Sequence, residues 1–478
     1  MTFFIFLILF STTIFSVNAQ APACQGIWGF EKPTNEPYVT WYPQEFPQSN
    51  APLIQDNFDC SYEISVQKGY SARVTLTVNV TNPSGISSGP VWVTNQFGKT
   101  EEISDADRIY FYFVANGGTI RLSTQNGKVQ FGFRIDWQEY DTNPAYSTIH
   151  VNQSDTLPFL QSPEEYSYTT ITADTRVSMT VISPAYDFYY CLLRGILIFD
   201  GPDIYSPSLG TAYDIYTGQT QFVSTGNQMT IQSLLREDAP ILPMLLYQDY
   251  SNTRDIVQFQ GVFCPSANYC GLYPMDASNG PVALQTIYSA NYAEPDVLTD
   301  IIGFGTLGVF MGGVTKDKKN SIAIYNAATS STYLPQLFSG PLKTYVLLNG
   351  KATLNLTRDY DEFGNTKSFG RKGFIASTFY GQLSGQHGFG DVHAPIGYTD
   401  ASFRLKIGSI DMTGETVFWI DAWKNGTETF DEIYNSTVLP DTKNAYSLHG
   451  DHFRAYYDTD RSATNGCFMR FEVNQPAP

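Results

Sequence analysis

The segment 191–210 constrains the fold of this chain more than any other part of the sequence. It reads CLLRGILIFDGPDIYSPSLG, and its β-branched and aromatic residues at 196–199 favour a strand. Asp200, Gly201 and Pro202 end that strand, because glycine supplies a positive φ and proline cannot donate a ladder hydrogen bond. The segment therefore predicts one β-strand that stops at a tight turn and leads into a short loop.

The same segment resembles the pattern of CUB domains. The matching parts are Cys191, the strand with its Asp-Gly turn at 196–201, and the S-x-x-L-G tail at 206–210. CUB domains are extracellular antiparallel β-sandwiches of jelly-roll type that mostly bind other molecules. The resemblance implies an all-β fold and a binding role rather than catalysis.

The N-terminal part of the chain carries a second resemblance. Cys24, the Tyr42-Pro43 turn, Cys60 and the FGF run at 131–133 follow in the order found in CUB modules. This part is similar to the nematode CUB-like family of small secreted proteins, whose members are described as taking part in innate immune responses. We expect a first CUB-like domain at 21–140.

Strand patterns recur along the chain at intervals of roughly 100 to 120 residues, which indicates internal repetition. We therefore predict an all-β chain of tandem CUB-like sandwiches. A polar, proline-containing linker would follow the first domain, then a second CUB-like domain and two divergent β-sandwich modules. The alternative is one unrelated β-domain from Ala267 onward. The predicted boundaries are 1–19 for a signal peptide, 21–140, 141–161 for the linker, 162–266, 267–380 and 381–478.

The N-terminus has the composition of a secretory signal peptide. The apolar core 3–10 is too short to span a bilayer comfortably, and Val17-Asn18-Ala19 supplies small residues for cleavage. An uncleaved signal anchor is the alternative. No other apolar run reaches the length of a membrane span, so we expect a secreted, extracellular protein without a transmembrane anchor.

The charge balance narrows the choice of partner. The chain has 28 basic and 46 acidic residues, a net charge of −18. Such a surface repels phosphate backbones, so nucleic acid is not expected as a partner, and solubility is the simplest explanation of the charge. The expected partner is an unknown extracellular ligand: a glycan, a microbial surface or a protein.

Six cysteines in a secreted chain indicate disulfides, although six allow 15 pairings. The CUB resemblance implies a bond between Cys24 and Cys60. Cys191 lacks its usual CUB partner, because Tyr213 stands at that position. The module boundaries then suggest a bond between Cys191 and Cys264. The two remaining cysteines, Cys270 and Cys467, would form the third bond.

Five N-x-S/T motifs predict N-glycosylation at surface positions. The asparagines are Asn79, Asn152, Asn355, Asn425 and Asn435.

Calcium is not expected, although many CUB domains bind it through acidic residues. In the second module the Tyr-Asp positions of the pattern are Leu193 and Arg194, and in the first module Gly89 stands at that place. A fixed cation opposes Ca²⁺ binding. Asp200 is then predicted to be a turn residue that bonds within its own loop.

The run from Gly303 to Gly308 matches G-x-G-x-x-G, the dinucleotide-binding fingerprint. That fingerprint needs a following helix, and Gly312 and Gly313 oppose one. We therefore predict a glycine-rich turn or bulge in a β-module and no cofactor.

Histidines and acidic pairs are the remaining candidates for chemistry. His387, Asp391 and His393 bring metal-ligand types close together, but the glycines in 387–393 suggest a loop near a strand end rather than a zinc site. Glu101-Glu102 and Asp431-Glu432 could suggest the carboxylates of a glycosidase, but solvated turns explain them better. We predict no catalytic residue and no metal ligand.

Aromatic residues cluster near the N-terminus, at Trp28, Tyr38, Trp41 and Tyr42. Such a cluster can stack on sugars or cover the edge of a sheet, and we favour edge cover.

The sequence thus predicts a secreted, disulfide-bonded, non-enzymatic protein for extracellular recognition, with a role in innate immune defence against microbes. The alternatives are a secreted carbohydrate hydrolase that uses acidic loop residues and a structural component of the extracellular matrix.

Overall fold

A computed structural model gives the fold in two compact units, 1–143 and 144–478. The predicted signal peptide lies outside the described residues. The structure describes 24, 26–44, 51–54, 57–80, 90–104, 106–124, 129–140, 147–163, 167–182, 187–235, 243–264, 270–287 and 295–476. In these parts of the chain no helix is long and apolar enough to cross a membrane.

The first unit is a β-sandwich of ten described strands. One sheet has the order β1-β4-β9-β6-β7, and the other has the order β2-β10-β5-β8 with β3 also paired to β10. Only the β1–β4 pair is parallel. The strands are β1 Gly26–Phe30, β2 Val39–Tyr42, β3 Leu53–Ile54, β4 Asp59–Ile64, β5 Tyr70–Val80, β6 Val91–Thr94, β7 Thr100–Ile103, β8 Ala106–Phe113, β9 Gly118–Ser123 and β10 Val129–Glu139.

Aromatic rings fill the space between these two sheets. The Tyr42 ring lies 4.5 Å from that of Tyr62, and the Phe131 and Phe133 rings pack against both. Alternation places these side chains inward, since successive residues of a strand face opposite sides of a sheet. The predicted bond between Cys24 and Cys60 is present, with a Cα–Cα distance of 5.5 Å.

The second unit contains three β-sheet assemblies in succession. Its strands are β11 Ser147–Val151, β12 Phe159–Gln161, β13 Tyr168–Ala173, β14 Val177–Ile182, β15 Ile196–Phe199, β16 Ser208–Thr211, β17 Phe222–Val223, β18 Gln228–Ser233, β19 Met244–Asp249, β20 Gln258–Phe263, β21 Leu272–Asp276, β22 Val282–Ile287, β23 Asp296–Met311, β24 Ser321–Asn326, β25 Gln336–Phe338, β26 Leu342–Thr357, β27 Arg371–Ala376, β28 His387–His393, β29 Ala401–Ile410, β30 Val417–Lys424, β31 Thr427–Asn435, β32 Tyr446–Gly450, β33 His452–Asp458 and β34 Cys467–Asn474. Short helices are α1 Ala212–Gly218, α2 Tyr250–Thr253 and α3 Asp361–Gly364, with 3-10 turns at Asp187–Gly195 and Ala327–Thr332.

The first assembly, β11 to β19, repeats the strand order of the first unit except for β3, which has no counterpart among the described strands. Its sheets run β11-β13-β18-β15-β16 and β12-β19-β14-β17, and β11 again pairs in parallel. The strand at 196–199 is the predicted one, ending before Asp200. The described part of the predicted linker 141–161 is not a linker, because β11 and β12 extend these two sheets. The all-β sandwich prediction is confirmed.

β20 lies within the predicted second domain, 162–266, but belongs to the next sheet. β19, not β20, occupies the closing position, and β20 pairs in parallel with β22 in the next sheet. That seven-stranded sheet runs β20-β22-β26-β23-β24, with β21 on β26 and β25 on β23. Gly303 and Gly305 lie within β23 at φ 131° and 130°, where a Cβ would overlap carbonyl oxygens of β26. The G-x-G-x-x-G run is therefore strand, followed by no helix, in line with the bulge interpretation.

The last assembly is a sandwich of two four-stranded sheets. They run β27-β34-β29-β32 and β28-β33-β30-β31, around a core that includes Phe403, Phe418, Phe453 and Phe471. β27 had been placed in the preceding module by the predicted boundary at 380. It pairs with β34 instead, so this sandwich begins before that boundary.

The other predicted disulfides are wrong. Cys264 and Cys270 are bonded to each other, with a Cα–Cα distance of 5.2 Å. Neither can then bond Cys191 or Cys467, and both of these cysteines are buried. The pairing was argued from module boundaries, and it failed because β20 and β21 belong to one sheet, so Cys264 and Cys270 lie close together at their ends.

Candidate functional site

Arg194, which stands at a calcium-binding position of the CUB pattern, packs against Tyr213. Its guanidinium lies 3.6 Å from the ring centroid of Tyr213, so two of the three residues that depart from the CUB pattern contact one another. Asp200 does not bond within its own loop through its side chain. Its carboxylate accepts a hydrogen bond of 2.7 Å from the backbone N–H of Thr225, which ties the turn to the approach of β18.

The other predicted candidates are spread over the molecule. Glu101 and Glu102 are neighbours on β7, and Asp431 and Glu432 are neighbours on β31. Neighbouring strand residues face opposite sides of a sheet, so neither pair faces across a cleft, and neither pair is a turn. In the described part of the chain, no three His, Cys, Asp or Glu residues are grouped as a metal site would need.

The N-terminal aromatic cluster is divided between core and edge. Tyr42 is buried in the first unit, whereas Trp28 is 39% exposed. Trp28 and Trp41 lie on β1 and β2, which are themselves edge strands. This arrangement agrees with edge cover.

The predicted glycosylation sites are at the surface or close to it. Asn79, Asn152, Asn425 and Asn435 are exposed, and Asn355 is half-buried on β26. Their glycosylation stays a prediction.

The histidine segment 387–393 forms strand β28 rather than a loop. Gly388 and Gly390 face inward, where a Cβ on Gly390 would overlap the side chain of Ile375. The glycines therefore allow β28 to pack closely against β27. His387, Asp391 and His393 alternate with them and point away from the core.

Four rows of side chains cover the outer face of the sheet β28-β33-β30-β31. Small and apolar residues such as Gly390, Ala455 and Ile420 fill the opposite, buried face. We call the four rows together the outer face. In strand order β28, β33, β30, β31, the rows are His387, Asp458, Val417 and Asn435; Phe389, Tyr456, Trp419 and Ile433; Asp391, Arg454, Asp421 and Asp431; and His393, His452, Trp423 and Glu428.

The second row, with Tyr360 beside it, forms an aromatic stripe. The Tyr360 ring stacks on Phe389 with centroids 5.5 Å apart, and its hydroxyl donates to the carbonyl of Phe389 at 2.6 Å. Phe389 is 36% exposed and Ile433 is 62% exposed. A hydrogen bond from Tyr456 to the Asp458 carboxylate raises the pKa of Tyr456 to about 12, so this ring is held in place and uncharged.

The third row is a charged row with fixed geometry. Arg454 donates two hydrogen bonds to the buried carboxylate of Asp421, at 3.0 and 2.7 Å. These bonds raise the pKa of Arg454. The guanidinium also lies 5.4 Å from the Trp419 ring and 5.5 Å from the Trp423 ring. The Trp419 indole N–H donates to Asp431 at 2.6 Å, so Arg454 and Asp431 of this row both contact Trp419 in the neighbouring stripe.

The fourth row stacks two imidazoles on an indole. The rings of His393 and His452 are 5.2 Å apart, and His452 is nearly parallel to Trp423 at 6.5 Å. His393 Nε2 lies 3.2 Å from Asp391, and this hydrogen bond raises the pKa of His393. His452 Nδ1 lies 2.6 Å from the Asp451 carboxylate. Each of these two histidines thus presents a stacked ring and has an acidic partner.

Sequence reasoning missed Trp419, Trp423 and Arg454. The available signal was alternation in 417–424, where Trp419, Asp421 and Trp423 recur every second residue between buried Phe418, Ile420 and Ala422. Alternation shows that these residues share a face, but it does not show which strands lie beside them.

Comparisons with known proteins agree with the division of the chain. Residues 19–141 match the family of the CUB-like domain. Residues 150–234 match the domain of unknown function DUF7592, over β11 to β18, and 251–359 match the domain of unknown function DUF7591, over the seven-stranded sheet. A search of curated proteins found no match.

Two solved structures contain CUB domains. The CUB1-EGF-CUB2 domain of human MASP-1/3 is 8% identical, with a TM-score of 0.17, and the alignment covers 42% of this chain and 99% of that chain. The same domains of rat MASP-1 are 12% identical, with a TM-score of 0.18, covering 68% and 99%. Such low TM-scores carry no conclusion. The family match supports a narrower one: residues 19–141 are similar to the CUB-like domain, and the described part of this segment folds as a β-sandwich.

Proposed function

We propose that this chain is a secreted, non-enzymatic recognition protein, acting in defence against microbes, and that the outer face binds its ligand. The observation that carries the proposal is the aromatic stripe. It runs across four strands, with Phe389 and Ile433 exposed and Tyr456 and Trp419 half-buried between them, and the charged row lies beside it. Large exposed aromatic surfaces of this kind are typical of binding sites.

Other features support the extracellular part of the proposal. The chain begins with a segment of signal-peptide composition, contains two disulfides, and presents asparagines of glycosylation motifs at its surface. Disulfides are typical of oxidising compartments. The CUB-like domain indicates an interaction module rather than an enzyme. The defence role comes from the resemblance to the nematode CUB-like family.

The test is binding of the full secreted chain to intact microbial cells, measured for wild type and two tryptophan variants. Trp419→Ala removes the centre of the stripe, and we expect at least about a tenfold loss, as for a hot-spot tryptophan. Trp28→Ala is the matched control, because Trp28 is a partly exposed strand tryptophan in the first unit. Equal binding by both variants would contradict the proposal.

A parallel assay on polysaccharide substrates separates recognition from hydrolysis. We expect binding without turnover. Turnover that disappears in Asp431→Asn would replace the proposal with the hydrolase alternative.

A further inference from the structure

We propose that the ligand of the outer face is a neutral oligosaccharide lying along the aromatic stripe. This inference rests on the proposed function of the face and adds the chemical class of the ligand. Three properties of the outer face support it: its ring surfaces, its mixture of fixed donors and acceptors, and its small area.

The stripe offers ring surfaces that suit a sugar. A pyranose carries C–H groups on one face, and these pack against aromatic rings through dispersion and the negative ring face. Phe389, Tyr456 and Trp419 stand on three neighbouring strands, about 4.8 Å apart. A chain of linked sugars can therefore contact several rings in succession.

The charged row supplies the polar partners of sugar hydroxyls. Each hydroxyl both donates and accepts, so a sugar site needs both kinds of group in fixed positions. Arg454 is a donor that remains one-third exposed while bonded to Asp421. The carboxylates of Asp391 and Asp431 are acceptors on either side of it. Because existing hydrogen bonds already hold Arg454 and Asp431, little side-chain entropy is lost on binding.

The charge of the face selects among glycans. Asp391, Asp431, Glu428 and Asp458 surround a single arginine that is already paired with Asp421. Sulfated, phosphorylated or sialylated chains would be repelled. A neutral glycan meets no such barrier, and its binding would respond little to added salt.

The area of the face favours a glycan over a protein. Four strands, each about 4.8 Å wide, and four rows, each about 7 Å wide, cover roughly 500 Å². A stable protein–protein interface buries about 800 Å² on each partner. The predicted glycosylation sites Asn435 and Asn425 also border the face, one in the first row and one in the β30–β31 turn. They would limit the approach of a large protein.

The experiment is a glycan array probed with the full chain, followed by calorimetric titration of the glycans that bind. We expect neutral oligosaccharides to bind and anionic ones to fail. Phe389→Ala and Trp419→Ala should each weaken binding at least about tenfold, while Trp419→Phe keeps most of it. Trp28→Ala should bind like wild type, and unchanged melting temperatures show that each variant is folded.

Each other outcome overturns a defined part of the account. A protein partner that needs Trp419, with no glycan bound, overturns the oligosaccharide but keeps the face as the binding site. Preferred binding of anionic glycans overturns the charge argument. Neutral-glycan binding found only in Asn435→Gln would mean that the chain's own glycan occupies the stripe, which overturns an external ligand. Binding that never depends on the stripe overturns both proposals.

Discussion

Lys343 and Asp296 form a fully buried ion pair between the two long strands of the seven-stranded sheet. Lys343 Nζ lies 3.3 Å from Asp296 Oδ1, and the two side chains are 0% and 2% exposed. At this distance the attraction is about 5 kcal/mol for an effective dielectric constant near 20. Removal from water costs each ion several kcal/mol, so the pair stabilises little in net terms, but either charge alone is costly.

Lys343→Met should therefore destabilise the second unit by about 4 kcal/mol, because it leaves Asp296 charged and buried. Lys343→Met combined with Asp296→Asn should recover at least half of that loss. Asp296 also accepts a hydrogen bond from Thr286, and an amide oxygen can keep that bond. The assay is equilibrium denaturation of the full chain. The free energy of unfolding is compared for Lys343→Met, for Asp296→Asn and for the double variant.

The control lies on the same strand. Lys351 pairs with Asp276 at 2.6 Å, but these side chains are 58% and 52% exposed. Lys351→Met should cost far less than Lys343→Met, because solvent screens a surface pair. Equal losses from Lys343→Met and Lys351→Met, or a double variant no more stable than Lys343→Met, would refute the argument from burial.

Three further predictions concern bonds and protons. Cys24→Ser should destabilise the first unit by about 4 kcal/mol, because the bond to Cys60 closes a 36-residue separation; an unchanged denaturation midpoint would contradict this. The raised pKa of His393 means that its bond to Asp391 stabilises the fold fully below the unfolded pKa, about 6.5, and that this contribution is lost as pH rises through the folded pKa. The difference in free energy of unfolding between wild type and Asp391→Asn should therefore shrink between about pH 5 and about pH 8. A difference that stays constant would contradict the pairing of His393 with Asp391. Burial raises the pKa of the free Cys467 thiol, so alkylation of Cys467, followed by mass spectrometry, should be very slow until the protein is denatured.

Local sequence patterns predicted several features of the fold correctly. The strand at 196–199, its end before Asp200 and the bond between Cys24 and Cys60 were all predictable, because each depends on residues close in sequence or on a resemblance to CUB domains. β6 and β15 hold the same place in the two sandwiches, each between the strand before the last and an edge strand of its sheet. Short edge strands were missed in 141–161, since three to five residues beside prolines carry little periodicity.

Non-local pairing explains the errors. The segment 256–264 has the composition of a strand, but composition cannot show that β20 pairs in parallel with β22 rather than closing the preceding sandwich. The cysteine pairing followed that misassignment. Glycines in β28 suggested a loop, whereas they allow close packing against Ile375, which is visible only once β27 and β28 are adjacent.

The outer face was not predictable for the same reason. Phe389, Trp419 and Tyr456 come from three strands that are separated by some tens of residues in sequence and become neighbours only through sheet register. Each residue alone resembles an ordinary half-buried strand aromatic.

The most direct test of the account is the ratio of two dissociation constants for the ligand of the full chain. One is measured with Trp419→Ala and the other with Trp28→Ala, which leaves the outer face intact. We predict that Trp419→Ala binds at least about tenfold more weakly than Trp28→Ala. A ratio near one, with both variants folded, would contradict the claim that the outer face is the binding site.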